Sequence, residues 1–256
     1  MNFPNPPITE AIFDITANLP SSFNHQDFLN FYEEVKSNFH KINKRMEIKG
    51  DVEFQLDQLD EVNPQLLPLY NKTEGYIFTA QDDKKIIQAR TNGFTFSKLK
   101  PYESWEKFYG EAYQLWEQYS QLTNPVEVTR LGLRYVNKIN IPAKGKIELK
   151  DYIRTLPEIA DNLSVVMEGY FMQLIVYHPE YHPSKAIINQ TIGEITENDN
   201  GEKLIPLIFD IDVFQEVSIS HNEKEKIRNI FESNLRCLRN EIFFKTITDK
   251  TKELFQ

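Results

Sequence analysis

The chain has 256 residues, of which 40% are hydrophobic, and its 29 basic and 38 acidic side chains give a formal net charge of −9. This composition is typical of a folded globular protein with a substantial core. The acidic balance argues against a non-specific polyanion binder, because such binding depends on Lys and Arg neutralising phosphates.

Cysteine content and targeting signals narrow the class of protein further. Cys237 is the only cysteine, which excludes an intramolecular disulfide and a multi-cysteine metal site. The sequence does not begin with a charged region followed by an apolar run, and its apolar stretches fall well short of the ~20 residues that cross a bilayer. We therefore expect a soluble, cytoplasmic protein.

Hydrophobic periodicity in the first half predicts a strand, a helix, further strands and a long helix. Apolar residues alternate in ITEAIFDITANL, which indicates a half-buried strand, and they recur at helical spacing over residues 24–42 behind a cap at Asn24. Hairpin turns are expected at AQDDKK and at Asn92-Gly93. The aromatic stripe of the long helix predicts packing against a sheet. The further strands are predicted in MEIKGDVEFQLDQ, GYIFTAQD, KKIIQARTN and GFTFSKL, and the long helix in SWEKFYGEAYQLWEQYSQL.

The second half repeats this plan loosely. A strand at residues 126–141 leads to a short helix near ELKDYIRTL, and a long helix, NEKEKIRNIFESNLRCLRNEIFF, comes after three more strands. Thr248 is the expected cap of a last helical turn. The three strands are predicted in LSVVMEGYFMQLIVYH, SKAIINQTIGEIT and KLIPLIFDIDVFQEV.

These elements predict an α+β fold. We expect a single compact domain over residues 1–256, with a large curved antiparallel sheet and two long helices packed on one face. The order of elements also favours two pseudo-repeated β-α-β-β-β-α halves, residues 1–124 and 125–256, although the halves share no repeat at the level of residues.

The usual signatures of enzymes are missing from the sequence. Its nine glycines form no phosphate-cradling loop or dinucleotide turn, and no serine lies in a nucleophile elbow. His178 and His182 occur in YHPEYHP, where the prolines disfavour a helix and predict a loop between strands. Weak zinc binding, or contact with a partner through Tyr177 and Tyr181, is the alternative. We predict no cofactor and no metal site.

The stretch TRLGLRYVNKINIP, residues 129–142, has a more distinctive pattern. As a strand, it places Arg130, Gly132, Arg134 and Lys138 on one face and apolar residues on the other. Gly132 leaves the strand open between the arginines, which permits the close approach of another backbone or a ligand.

Two interpretations of this cationic row stay open. In the first, the cations pair across strands with carboxylates on an exposed sheet face. In the second, they form a rigid bidentate site for a phosphate or for the carboxylates of a partner. The candidate counter-charges of the first interpretation are Glu10, Asp14, Asp210 and Asp212.

One pair of carboxylates is a candidate for metal-dependent chemistry. In LIFDIDVF, Asp210 and Asp212 point to the same side of a strand, roughly 6.5–7 Å apart by the strand rise. Two acids at that spacing can hold a divalent cation or share acid–base work, provided that further ligands join them.

Three segments together resemble a bacterial family described only as sporadically distributed proteins of unknown function. They are NPPITEAIFDI, RLGLRYVNKINIP and LRNEIFFKTITDKTKELF, in that order over nearly the whole chain. The resemblance implies no catalytic residue and no cofactor. The patchy distribution of such a family implies an accessory role, for example in an anti-phage defence module, together with a genetically linked partner.

We therefore favour a non-enzymatic binding protein that contacts a protein partner through the cationic row and nearby loops. A nucleic-acid partner is disfavoured by the net charge, and no membrane partner is expected. The alternatives are a small-molecule cup of helix-grip type and a metal-dependent hydrolase or nuclease that uses Asp210 and Asp212. The cup would be lined by Trp105, Tyr109, Trp116 and Tyr119.

Overall fold

The computed structural model describes residues 3–49, 52–53, 65–66, 70–143, 147–160, 162–165, 167–198 and 200–256. The strands within these residues are β1 (Ile8–Asn18), β2 (Lys41–Lys49), β3 (Val52–Glu53), β4 (Gln65–Leu66), β5 (Tyr70–Thr79), β6 (Lys85–Arg90), β7 (Gly93–Leu99), β8 (Glu127–Pro142), β9 (Phe171–Tyr177), β10 (Lys185–Ile192), β11 (Thr196–Glu197) and β12 (Lys203–Ile219). The helices are α1 (Phe28–Val35), α2 (Trp105–Thr123), α3 (Lys224–Asn229), α4 (Arg236–Thr246) and α5 (Asp249–Glu253), and a π-helical stretch, Ile230–Leu235, joins α3 to α4.

The strands form one open, ten-stranded antiparallel sheet and a separate small pair, β3–β4. The order in the large sheet is β2-β5-β6-β7-β1-β8-β12-β10-β9, with β11 on β12. The first strands of the two halves, β1 and β8, pair with each other at the midline of the sheet. The last long strand of each half lies next to the first strand of that half, β7 beside β1 and β12 beside β8. The two halves therefore have a matching order from the midline outward, within one continuous sheet.

Both long helices pack on the same face of the sheet, and this confirms the predicted α+β fold. Phe13 of β1 stacks on Phe231 of the π-helical stretch at 4.4 Å between ring centroids, and it meets Tyr109 of α2 edge-on. Further out, Phe209 of β12 stacks on Phe243 of α4. Aromatic side chains therefore supply much of the contact between the layers.

Several predicted local features are confirmed. The side chain of Asn24 caps a short 3₁₀ turn that leads into α1, and Thr248 caps α5. The hairpins at AQDDKK and Asn92-Gly93 join β5 to β6 and β6 to β7. These features depend on short-range hydrogen bonding, which the residue types of caps and turns determine locally.

Other predicted boundaries were wrong. The helix expected over residues 24–42 ends at Val35, and Ile42 lies in β2 opposite Phe78, because pairing with β5 overrides the helical spacing. The helix expected near ELKDYIRTL is a single 3₁₀ turn, Leu149–Asp151, and the strand expected from residue 163 begins at Phe171. Of MEIKGDVEFQLDQ, residues 50–51 and 54–58 lie outside the described residues.

None of the described helices combines the length and the apolarity that spanning a membrane requires. The face of the large sheet opposite the helices carries the cationic row of β8.

Candidate functional site

Arg130 is held between two carboxylates on neighbouring strands. One terminal nitrogen, Nη1, lies 3.3 Å from Oδ1 of Asp14, and the other, Nη2, lies 3.2 Å from Oδ2 of Asp212. The guanidinium also lies over the ring of Phe214, 4.6 Å from the ring centroid. Its charge and its planar face are therefore both occupied by side chains of β1 and β12.

Gly132 makes this arrangement possible. It lies opposite Asp14 on β1 and opposite Phe214 on β12, so it occupies the position over which the side chain of Arg130 extends. A Cβ atom added to Gly132 would lie 2.5 Å from Nη1 of Arg130, well inside van der Waals contact. The space predicted between the arginines is therefore filled by the chain's own guanidinium.

Arg134 makes a bidentate ion pair with Asp210. The two N–H···O distances are 2.8 and 2.7 Å, and Asn189 donates a further hydrogen bond to the same carboxylate at 3.1 Å. Asp210 is 5% exposed. Hydrogen bonding to Asp210 raises the pKa of Arg134 above its ordinary value.

The network continues across the midline, since Arg90 and Thr95 both donate to Oδ2 of Asp14 at 2.7 Å. The charge-ladder interpretation is thus confirmed for Arg130 and Arg134. Their partners are the predicted Asp14, Asp210 and Asp212.

The same contacts determine the environment of the candidate carboxylate pair. Asp210 and Asp212 lie on one face, as predicted, but each is engaged by an arginine. Burial raises the pKa of Asp212, against the opposing effect of Arg130. Among the described residues, no third carboxylate, His or Cys side chain completes a metal-binding group with this pair.

Lys138 differs from the two arginines because it has no ion pair within the described part of the chain. It lines an open groove of about 570 Å³ at the end of the sheet, together with Lys84 and Lys100. Neither of these lysines has an ion-pair partner among the described residues. Among the described residues, the unpaired positive charge of this groove is therefore carried by Lys84, Lys100 and Lys138, away from the arginines.

The two predicted tyrosines lie on different sides of the molecule. One row of cross-strand neighbours crosses the sheet through Gly132, Phe214, Lys185 and Tyr177. Tyr177 therefore lies on the uncovered face, which it shares with the cationic row. Tyr181 instead packs toward α4, where its hydroxyl donates to Glu241 at 3.3 Å. Five of the six predicted binding residues are therefore on one face, and Tyr181 is not.

The edge strand β9 carries a row of exposed apolar side chains, of which the sequence pattern indicated only Tyr177. Phe171, Ile175 and Tyr177 project from the uncovered face with 70%, 69% and 68% of their surface exposed. Among the described residues β9 pairs only with β10, so no described strand lies along its outer edge. The alternation of FMQLIVY was visible in the sequence, but its position at the edge of the sheet was not.

The aromatic residues proposed to line a cup are mostly core residues. Trp116 and Tyr119 are 1% and 0% exposed and stack on each other, and Tyr109 packs against Phe13. Trp105, at the start of α2, lines a cavity. The greater part of the aromatic stripe is thus packing between helix and sheet, as its spacing predicted.

His178, Glu180 and Glu241 form a cluster whose possible metal-ligating atoms lie within 4.8 Å of one another. Nδ1 of His178 accepts a hydrogen bond from the backbone N–H of Glu180 at 3.3 Å. Coordination through Nε2 would require the proton on Nδ1, and this hydrogen bond would then be lost. The arrangement therefore fits a loop held by local hydrogen bonds, as predicted for YHPEYHP.

In comparisons with known proteins, no family model and no curated protein matches the chain. The resemblance to a sporadically distributed bacterial family stays a prediction.

Proposed function

We propose that this chain is a non-enzymatic binding protein, and that it holds a protein partner by accepting one of the partner's strands at β9. The observation that carries the proposal is the open, uncharged edge with three exposed apolar side chains. An exposed apolar edge strand is a template for pairing with another chain. In such strand addition, main-chain hydrogen bonds supply affinity and alternate side chains supply specificity.

The two edges of the sheet differ in a way that supports β9. The opposite edge, β2, has the sequence KINKRMEIK, which contains five basic and acidic residues in nine. Charged side chains, Lys above all, are a means by which proteins prevent pairing at an edge. The sequence of β9, FMQLIVY, has no charged residue at all. One edge is therefore protected from association and the other is not.

The face next to β9 suits the recognition of a polypeptide. Ile187 lies opposite Ile175 and extends the apolar surface inward, while Gln173 donates to Asn189 at 2.7 Å. Beyond them lies the charge ladder, in which Arg130 and Arg134 are paired with Asp14, Asp210 and Asp212. A partner strand added at β9 would thus contact apolar side chains next to a surface of paired polar side chains. The family resemblance adds to the proposal that the partner is genetically linked, in an accessory or anti-phage module.

The test compares the wild type with an Ile175→Lys, Tyr177→Lys double variant. A tagged chain captures partners from native-host lysate, each captured protein is then purified, and its binding is measured directly. Because both changes are at exposed positions, we expect the fold to be retained and affinity to fall at least tenfold (about 1.4 kcal/mol). Hydrogen exchange should show β9 amides protected in the complex.

The matched control is Val126→Lys, which adds a lysine at another exposed apolar position, 67% exposed, in the connection before β8. It should bind as the wild type does. Equal binding by the double variant, or a complex that leaves β9 unprotected, would refute the proposal. A dimer of the chain alone that dissociates in the double variant would identify a second copy as the occupant of the edge.

A further inference from the structure

A cavity lies on the helix-covered side of the sheet, away from β9. Its volume is about 120 Å³, and its walls include Pro6 and Pro7, Asn137 of β8, and Arg239 and Asn240 of α4. Each of the three segments that carry the family resemblance contributes to this wall. The chain thus brings together here residues that are far apart in sequence.

Arg239 is the unusual residue of this cavity. Its guanidinium stacks on the ring of Tyr135, 3.9 Å from the centroid, and its Nε is buried without a hydrogen-bond partner. No carboxylate among the described residues forms an ion pair with it. Stacking occupies the face of the guanidinium, and the in-plane Nε–H has no acceptor among the described residues. A donor of this kind is costly to bury unsatisfied.

The surrounding charges favour an anion. Arg236, also in the wall, lies 3.3 Å from Glu106, so that its charge is offset. Glu103, the carboxylate of the wall, is bonded to both Lys98 and Lys107. Among the described residues that line the cavity, Arg236 and Arg239 are the cations and Glu103 is the carboxylate. The cavity therefore has a surplus of positive charge in a chain whose net charge is −9.

Neutral donors lie beside these cations. The hydroxyl of Tyr102, in the cavity wall, is 3.0 Å from that of Tyr135, and only one of the two can donate in that contact. The other keeps its hydrogen for an acceptor. Burial raises the pKa of both tyrosines, so both hydroxyls stay protonated at neutral pH.

The groove that contains Lys138 lies on the other side of the same N-terminal segment. Pro6, Pro7, Ile8 and Tyr102 line both the groove and the cavity. The unpaired lysines of the groove, Lys84, Lys100 and Lys138, raise the local positive potential next to the cavity. Such a field increases the rate at which anions arrive.

We propose that this cavity binds the phosphate or carboxylate group of a small organic anion, with Arg239 as the principal ligand and Arg236 and Asn240 beside it. The planar fork of a guanidinium matches both oxyanions. The apolar part of the anion would lie against Trp105 and Phe243, which also line the cavity. The inference is independent of strand addition at β9, because the two sites lie on opposite sides of the sheet.

The test is thermal unfolding in sodium phosphate, sodium benzoate and sodium chloride at equal ionic strength. We expect phosphate or benzoate to raise the Tm of the wild type by several degrees over chloride, as saturating ligand does for a chain of this size. A response to phosphate alone indicates a tetrahedral anion, and a response to benzoate alone indicates a carboxylate.

Two variants test the role of Arg239. Arg239→Gln should weaken binding of the responding anion, measured by calorimetry, by ten- to a hundredfold, since it removes charge-assisted hydrogen bonds. Asn240→Asp places a negative charge in the wall of the cavity. It should abolish the anion-dependent rise in Tm while leaving the Tm in chloride equal to that of the wild type or higher. If Arg239→Gln fails to fold, Asn240→Asp still decides the point.

The matched control is Asn229→Asp, the same substitution at an exposed position of α3, where the Oδ1 atom accepts from Ser233. It should retain the full anion-dependent rise. The proposal is overturned if neither phosphate nor benzoate raises the Tm of the wild type above that in chloride. It is equally overturned if the rise persists undiminished in Asn240→Asp.

Discussion

At the scale of single residues, the ladder shows how a sheet face can hold several charges in a small area. Arg134 and Asp210 satisfy each other through two hydrogen bonds, and Arg130 bridges Asp14 and Asp212. The arrangement is not uniform, because Asp212 accepts longer contacts, 3.4 and 3.2 Å, from a single nitrogen of Arg130, and the effect of burial outweighs them. Its raised pKa records that imbalance.

This imbalance predicts a pH dependence of stability. A carboxyl whose pKa is higher in the folded than in the unfolded protein stabilises the fold when protonated, and that contribution is lost as pH rises from about 3.9 through the folded pKa. The free energy of unfolding of the wild type, relative to Asp212→Asn, should therefore fall as pH rises through this window. Urea unfolding at a series of pH values measures the difference.

Asp249 supplies a control of opposite sign. Its hydrogen bond to Lys252 lowers its pKa, so its contribution is present above the ordinary carboxyl pKa and is lost as pH falls. Relative to Asp249→Asn, the stability of the wild type should rise with pH. If the free energy of unfolding of the wild type relative to Asp212→Asn also rose with pH, the raised pKa of Asp212 would be refuted.

At the scale of elements, the short C-terminal helix α5 is attached to the rest of the fold by its cap. The Oγ1 of Thr248 accepts from the backbone N–H of Thr251 at 3.3 Å and donates to the carbonyl of Asp151. Thr248 also donates its own backbone N–H to the carbonyl of Tyr152. One residue therefore caps α5 and connects it to the segment after β8.

Replacing Thr248 by Ala should destabilise the protein by about 1 kcal/mol, because the cap and the bond to Asp151 are both lost. For a chain of this length that corresponds to a fall in Tm of roughly 2–4 °C. Thr248→Ser keeps the hydroxyl and should stay within a few tenths of a kcal/mol of the wild type. An equal loss in both variants would assign the effect to the methyl group.

At the scale of the whole molecule, the midline pair β1–β8 joins the two halves into one sheet. Contacts between the sheet and the helices also join the two halves, since Phe13 in the first half stacks on Phe231 in the second. The matching strand order of the halves is compatible with an ancestral duplication, but their packing makes one body of them.

This packing predicts cooperative unfolding. Both tryptophans, Trp105 and Trp116, lie in α2 of the first half, whereas far-UV circular dichroism reports on the whole chain. We expect the two signals to change at the same urea concentration, because neither half keeps a complete core without the other. Two separate midpoints would instead show that the halves are independent folding units.

The amino-acid sequence alone predicts the α+β class and the caps at Asn24 and Thr248. It also predicts that one face of β8 carries Arg130, Gly132, Arg134 and Lys138. These depend on periodicity and on short-range hydrogen bonding, which a local pattern encodes. The end of α1 at Val35 and the start of β9 at Phe171 were not predicted. Pairing with other strands, β5 and β10, decides where β2 and β9 begin.

Which of these charges are paired depends on the tertiary structure. Strand order places Asp14 and Asp212 on either side of Arg130, and it leaves Lys138 and Arg239 without carboxylate partners among the described residues. The exposed edge at β9 follows from the same order. Such neighbours are far apart along the chain, and their contacts depend on long-range register, which the pattern within any one segment does not contain.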